Sequence, residues 1–123
     1  MKPLNVLVID DEKVICDACW LVLSEKGHHV THRSTGIAGL LEIERNGGYD
    51  LILLDMKLPD IDGSRVLKLI EEQSTKMNVI VMTGYSTLSN TLEAMRLGAA
   101  DYLPKPFTED DLLATIEKLF PDS

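Results

Sequence analysis

Leu4-Asn5-Val6-Leu7-Val8-Ile9 runs directly into Asp10-Asp11-Glu12. The first six residues are apolar apart from one asparagine and rich in branched side chains, the composition of a strand buried on both faces. Three acids cannot extend into the same apolar interior, so the strand has to end where its surroundings turn polar. The same arrangement recurs along the chain. Leu51-Ile52-Leu53-Leu54 meets Asp55, and Met77-Asn78-Val79-Ile80-Val81-Met82 meets Thr83-Gly84-Tyr85. A last short strand, Ala100 to Leu103, meets Pro104-Lys105-Pro106.

Helical spacing fills the intervals. Residues 13–26 carry a helical pattern that stops at Gly27, a residue suited to a helix C-terminus. His28 to Arg33 reads as a shorter, more polar strand fit for a sheet edge. Thr35 to Arg45 reads as a helix stopped by Asn46-Gly47-Gly48. A loop with Pro59, Asp60, Asp62 and Gly63 leads to a helix from Ser64 to Gln73. Thr87 to Leu97 is the fourth helix, ending at Gly98. Thr108 opens the last one with a capping-box spacing to Asp111, and it runs to about Phe120. Five strand–helix repeats imply an α/β fold: a parallel, doubly wound sheet with helices on both faces and right-handed crossovers. At 123 residues the chain reads as one domain, 1–123, with no linker and no output domain. On the fourth helix Leu88, Leu92, Met95 and Ala99 share one face and are expected to point inward. Leu97 falls opposite, as an exposed candidate partner contact.

Composition excludes several functions. The net charge is −8, and the 12 Lys and Arg are scattered, so a phosphate-tracking patch for nucleic acid or an anionic membrane is not expected. No apolar run approaches the ~18–20 residues that span a bilayer. The first apolar stretch ends in acids, so it does not read as a signal peptide, and a cytoplasmic location is expected. Cys16 and Cys19 form a C-x-x-C, but inside a helix and flanked by Ile15, Ala18 and Trp20. A redox pair sits at a helix N-terminus, and a zinc site needs a second pair, so both read as structural. His28, His29 and His32 lie on the edge strand, with 28 and 32 on one face.

In open parallel sheets the site lies beyond the carboxyl ends of the strands. If the first and third strands are neighbours, Asp10, Asp11 and Asp55 converge and repel. Such a cluster calls for a cation, and a partial set of hard oxygen ligands suits Mg²⁺. Lys105 can add a positive charge from the far side. A carboxylate beside a metal and a lysine is a good phosphoryl acceptor, because both neutralise the transferring oxygens. Thr83 offers a hydroxyl to a phosphoryl oxygen, and Gly84 has no side chain to block the approach.

These stretches together resemble the receiver domain of two-component response regulators, from Leu4 to about Phe120. The residues that carry the resemblance are Val8 to Glu12, Leu53 to Gly63, Val81 to Tyr85 and Gly98 to Phe107. Met82-Thr83-Gly84-Tyr85 and Tyr102 to Phe107 look most like receivers of enhancer-binding transcription activators and hybrid kinases. The resemblance implies a flavodoxin-like fold with strand order 2-1-3-4-5. It implies Asp55 as phosphoacceptor, and Asp11, Asp55 and the main-chain carbonyl of Lys57 as Mg²⁺ ligands, with Asp10 acting through water. Lys105 would hold the phosphoryl group before a cis Lys105–Pro106 bond. Thr83 and Tyr102 would be the switch pair: Thr83 moves toward the phosphoryl group and Tyr102 turns inward. The surface of the fourth helix, fifth strand and fifth helix would then signal to an output domain or partner protein, and a phosphorylation-dependent dimer is admitted. The donor would be a sensor histidine kinase or a phosphotransfer protein. Lys57, Gly84 and Tyr85 would flank the approach of water, Tyr85 as a shield.

The chain is then no enzyme toward external substrates; it acts only in its own phosphorylation and dephosphorylation. An aspartyl-phosphate phosphohydrolase would want a second carboxylate two residues after Asp55, where Lys57 stands. An FMN carrier would want a hydroxyl-rich phosphate cradle where Asp10-Asp11-Glu12 stands. A phosphate-independent interaction scaffold is the remaining alternative.

Overall fold

The computed structural model describes residues 2–73, 77–84 and 87–121. Five strands alternate with five helices. In chain order these are β1 (Asn5–Ile9), α1 (Lys13–Glu25), β2 (His29–Arg33), α2 (Gly36–Asn46) and β3 (Leu51–Asp55). They continue with α3 (Gly63–Gln73), β4 (Asn78–Thr83), α4 (Leu88–Arg96), β5 (Asp101–Pro104) and α5 (Glu109–Leu119). The strands are parallel in the order β2-β1-β3-β4-β5, the flavodoxin-like arrangement.

Alternation along each strand divides the core in two. Val6 and Val8 of β1 face one side, with Cys16, Cys19 and Leu23 of α1 and Leu112 and Ile116 of α5. Leu7 and Ile9 face the other, with Val66, Leu67 and Ile70 of α3 and Ala94 of α4. Each fully buried Leu, Ile or Val contributes about 1.5–3 kcal/mol by leaving water. Cys16 and Cys19 are among the buried residues, and burial pushes their thiols up to about 11 and about 12. They are inert packing groups at neutral pH, as expected.

The helix ends follow sequence chemistry. Thr35 and Thr87 accept the Ala38 and Asn90 N–H groups, and Thr108 and Asp111 form the expected capping box. Gly27, at φ 90°, takes the left-handed conformation that turns the chain from α1 into β2. At Gly63 a Cβ would lie 2.4 Å from the Met56 Cα, so only glycine lets α3 start against the end of β3.

Two expectations fail on α4. Leu88, Leu92 and Met95 are exposed, not inward, and Ala94 is the helix residue buried fully. Leu97, expected outside, is half-buried against the α2–α3–α4 side of the core. The physical reason is size. A helix lying close on the sheet meets it through a small side chain, whereas the helical apolar pattern is dominated by the largest ones. Ala99, just beyond the helix, does point inward. The histidines also separate: His28 is buried just before β2, while His29 and His32 are exposed.

Candidate functional site

The sheet register creates the site. Ile9 pairs with Leu54, so Asp10 and Asp55 leave adjacent strands at one level. Asp55 pairs with Met82, which sets Thr83 beside the same point, and Thr83 pairs with Pro104, which delivers Lys105. The Lys105 N–H donates to the Thr83 carbonyl at 2.9 Å, and the Lys105–Pro106 peptide is cis, as expected.

Four carboxylates gather at this edge, and three of them lie around one ammonium. Asp10 is wholly buried and its Oδ1 accepts the Glu12 N–H at 2.8 Å. Asp55 is 4% exposed and its Oδ1 accepts the Lys57 N–H at 3.2 Å. Asp11 stands at the exposed rim. One oxygen each of Asp10, Asp11 and Asp55 lie within 4.8 Å of one another. Lys105 Nζ lies 2.8 Å from Asp10 Oδ2, 2.8 Å from Glu12 Oε1 and 3.5 Å from Asp55 Oδ2. A cleft of about 750 Å³ opens over this cluster, lined among others by Lys57, Asp62, Thr83 and Gly84.

The electrostatics follow from that crowding. Burial pushes the Asp55 carboxyl up to about 6; Asp10 and Asp11 add to the rise, while the Lys57 N–H and Lys105 oppose it. Burial alone would lower the Lys105 ammonium, but its bonds to Asp10 and Glu12 prevail and hold it above its ordinary value. The lysine therefore stays charged. The donor set consists of hard carboxylate oxygens with negative charge in excess and solvent on one side. It fits a small hard divalent cation such as Mg²⁺. Among the described residues these three acids are the group able to converge on a metal.

Thr83 and Tyr102 share one cavity. Thr83 is buried, and Tyr102 is half-buried on β5. Both line a cavity of about 420 Å³ under α4, with Val81, Asn90 and Glu93. The Tyr102 hydroxyl is buried there without a hydrogen-bond partner among the described residues. Tyr85, expected as a shield, lies outside the described residues.

Two roles were not anticipated. Glu12 reaches Lys105 across 93 positions of sequence, although a third consecutive acid was a visible signal. Asp60 accepts the Gly36 and Ile37 N–H groups at 2.9 Å each and so anchors the start of α2.

Residues 6–117 match the response regulator receiver domain model, and the chain belongs to that family. It is 40% identical over 113 residues to the transcriptional regulatory protein DltR of Streptococcus agalactiae serotype III (strain NEM316), covering 92% of this chain and 50% of that protein. It is 35% identical over 115 residues to the transcriptional regulatory protein ZraR of Escherichia coli K12, covering 94% of this chain and 26% of that one. The chain thus spans half or less of these relatives' length. The receiver domain protein (CheY-like) of Methanospirillum hungatei JF-1 superposes with a TM-score of 0.91 at 32% identity, covering 98% of this chain and 96% of that one. The relatives are transcriptional response regulators, in keeping with the kind of receiver the sequence resembles. No helix among the described residues is long and apolar enough to cross a membrane.

Proposed function

We propose that this receiver domain accepts a phosphoryl group on Asp55 from a histidine kinase or phosphotransfer protein and transmits the event through the α4–β5–α5 surface. The observation that carries the reading is the convergence of Asp10, Asp11 and Asp55 on one point with Lys105 beside them. An Asp55 carboxylate oxygen attacks phosphorus, the bond from phosphorus to the donor histidine nitrogen breaks, and the imidazole departs with the electron pair. Lys105 neutralises charge on the transferring oxygens, and Thr83 offers its hydroxyl to one of them. Asp11, Asp55 and the Lys57 carbonyl would hold Mg²⁺, with Asp10 acting through water. The ion would supply further neutralisation of the phosphoryl oxygens.

The added charge draws Thr83 toward Asp55 and alters the cavity shared with Tyr102. Tyr102 and α4 adjust, and an output domain, a partner protein or a second copy reads the change. Lys57, Gly84 and Tyr85 flank the approach of water and set the lifetime of the acyl phosphate. The domain turns over no external substrate and works in the cytoplasm. Incubation with acetyl phosphate and Mg²⁺ followed by intact-mass measurement tests the reading. The expected result is a gain of one phosphoryl group in the wild type, absent with EDTA and absent in Asp55→Asn. A wild type that gains nothing, or an Asp55→Asn variant that gains the group, refutes it.

A further inference from the structure

Glu12 occupies the N-cap position of α1, yet its side chain makes no capping hydrogen bond. Its N–H is tied to Asp10 Oδ1, which fixes its backbone over the acidic cluster. Its carboxylate instead meets Lys105 Nζ at 2.8 Å, closer than Asp55 does at 3.5 Å. We propose that Glu12 is a resting counter-ion for Lys105: it holds the ammonium away from Asp55 and must release it when a phosphoryl group arrives. The inference rests on Asp55 being the phosphoacceptor and adds a residue that governs how readily the site is loaded.

The two short ion pairs of Lys105 differ in what their loss would cost. Asp10 is wholly buried, so its carboxylate cannot exchange the ammonium for water. The Glu12 side chain is 53% exposed, so water replaces the lysine there readily. An ammonium has three donors. In the resting site one of them donates to Glu12 Oε1 at 2.8 Å, and the ammonium stands 2.8 Å from Asp10 Oδ2 as an ion pair. When phosphoryl oxygens appear on Asp55, the lysine keeps Asp10 and exchanges Glu12 for a phosphoryl oxygen. The bond to Glu12 exists before transfer and is gone afterwards. It therefore stabilises the resting state alone and slows loading without affecting the loss of the phosphoryl group.

Three variants test this. Glu12→Gln keeps the shape and removes the charge. Glu12→Asp keeps the charge and shortens the reach. Asp62→Asn removes a charge from the same cleft at a residue that forms no ion pair with Lys105 among the described residues. Glu12→Gln is expected to raise the rate of phosphorylation by acetyl phosphate about two- to fivefold, the range for a partly exposed ion pair. Its rate of phosphoryl loss should match the wild type, Asp62→Asn should phosphorylate at the wild-type rate, and Glu12→Asp should fall between wild type and Glu12→Gln. Nitrogen-15 NMR of the Lys105 ammonium in metal-free protein gives a readout independent of turnover. Its signal should shift, and its hydrogens exchange faster, in Glu12→Gln but not in Asp62→Asn. Equal loading rates in wild type and Glu12→Gln, the same acceleration in Asp62→Asn, or an unchanged Lys105 signal would each overturn the inference. Failure of the phosphoacceptor reading looks different: the wild type itself gains no mass, and the inference falls with it.

Discussion

Two half-buried tyrosines mark opposite sides of this molecule, and their surroundings differ in kind. Tyr49, ahead of β3, donates its hydroxyl to Glu42. The same carboxylate accepts Arg33 of β2 at 2.7 Å and Asn46 at 2.7 Å, so strand, helix and loop are tied through one buried acid. Tyr102, on the edge strand β5, has a buried hydroxyl with no partner among the described residues and a cavity beside it. The helix over it, α4, presents Leu88, Leu92 and Met95 to solvent and sets only Ala94 fully into the core. A satisfied buried network specifies one arrangement. An unsatisfied group beside free volume has little to lose by moving. The β2–α2 side is tied by a hydrogen-bonded network, and the β5–α4 side carries free volume.

The largest effect should come from crowding the close contact between α4 and the sheet. Ala94→Leu forces three extra carbons against the sheet and should cost about 1–3 kcal/mol in urea unfolding. A neutral result would mean that α4 yields freely and is looser than its burial implies. Tyr49→Phe deletes one bond to a charged acceptor and should cost about 1–2 kcal/mol. Stability unchanged by that substitution would break the contrast from its rigid side.

His28 adds a pH-dependent element near the same rigid side. Its Nδ1 accepts the Leu4 N–H at 3.0 Å and its Nε2 has no partner among the described residues, so the neutral ring is the one that fits. Burial, with positive charge nearby, lowers its pKa from the ordinary value. A lowered histidine contributes stability that is complete above the unfolded value of about 6.5 and is lost as pH falls through the folded one. The drop in urea midpoint between pH 7 and pH 5 should therefore be smaller in His28→Gln than in the wild type. An identical drop would show that another group carries the acid sensitivity. Smallest of all, Tyr102→Phe should change stability by no more than about 0.5 kcal/mol, because the hydroxyl it removes makes no hydrogen bond among the described residues. A cost near that of Tyr49→Phe would erase the difference between the two sides.

Much of this was legible in the chain. β1, β3 and β4 are near-continuous apolar runs, and a strand buried on both faces leaves that trace. The convergence of Asp10, Asp55, Thr83 and Lys105 was legible because each interrupts or follows such a run. The face of α4 was not, since burial there depends on how closely the helix approaches the sheet, and alanine carries little hydrophobic signal. The Glu42 network was not legible either. Arg33, Glu42, Asn46 and Tyr49 come from a strand, a helix and a loop, and nothing in their spacing announces that they meet. Glu12 was visible as a third acid, but its bond to Lys105 depends on β1 and β5 delivering their ends to one cleft.

Hydrogen exchange followed by mass spectrometry, on free protein and on protein whose phosphorylation has been verified by mass, tests the account most directly. It predicts changed exchange in α4 and β5 and unchanged exchange in β2 and α2. Exchange altered equally on both sides, or altered at β2 and α2 alone, would contradict it.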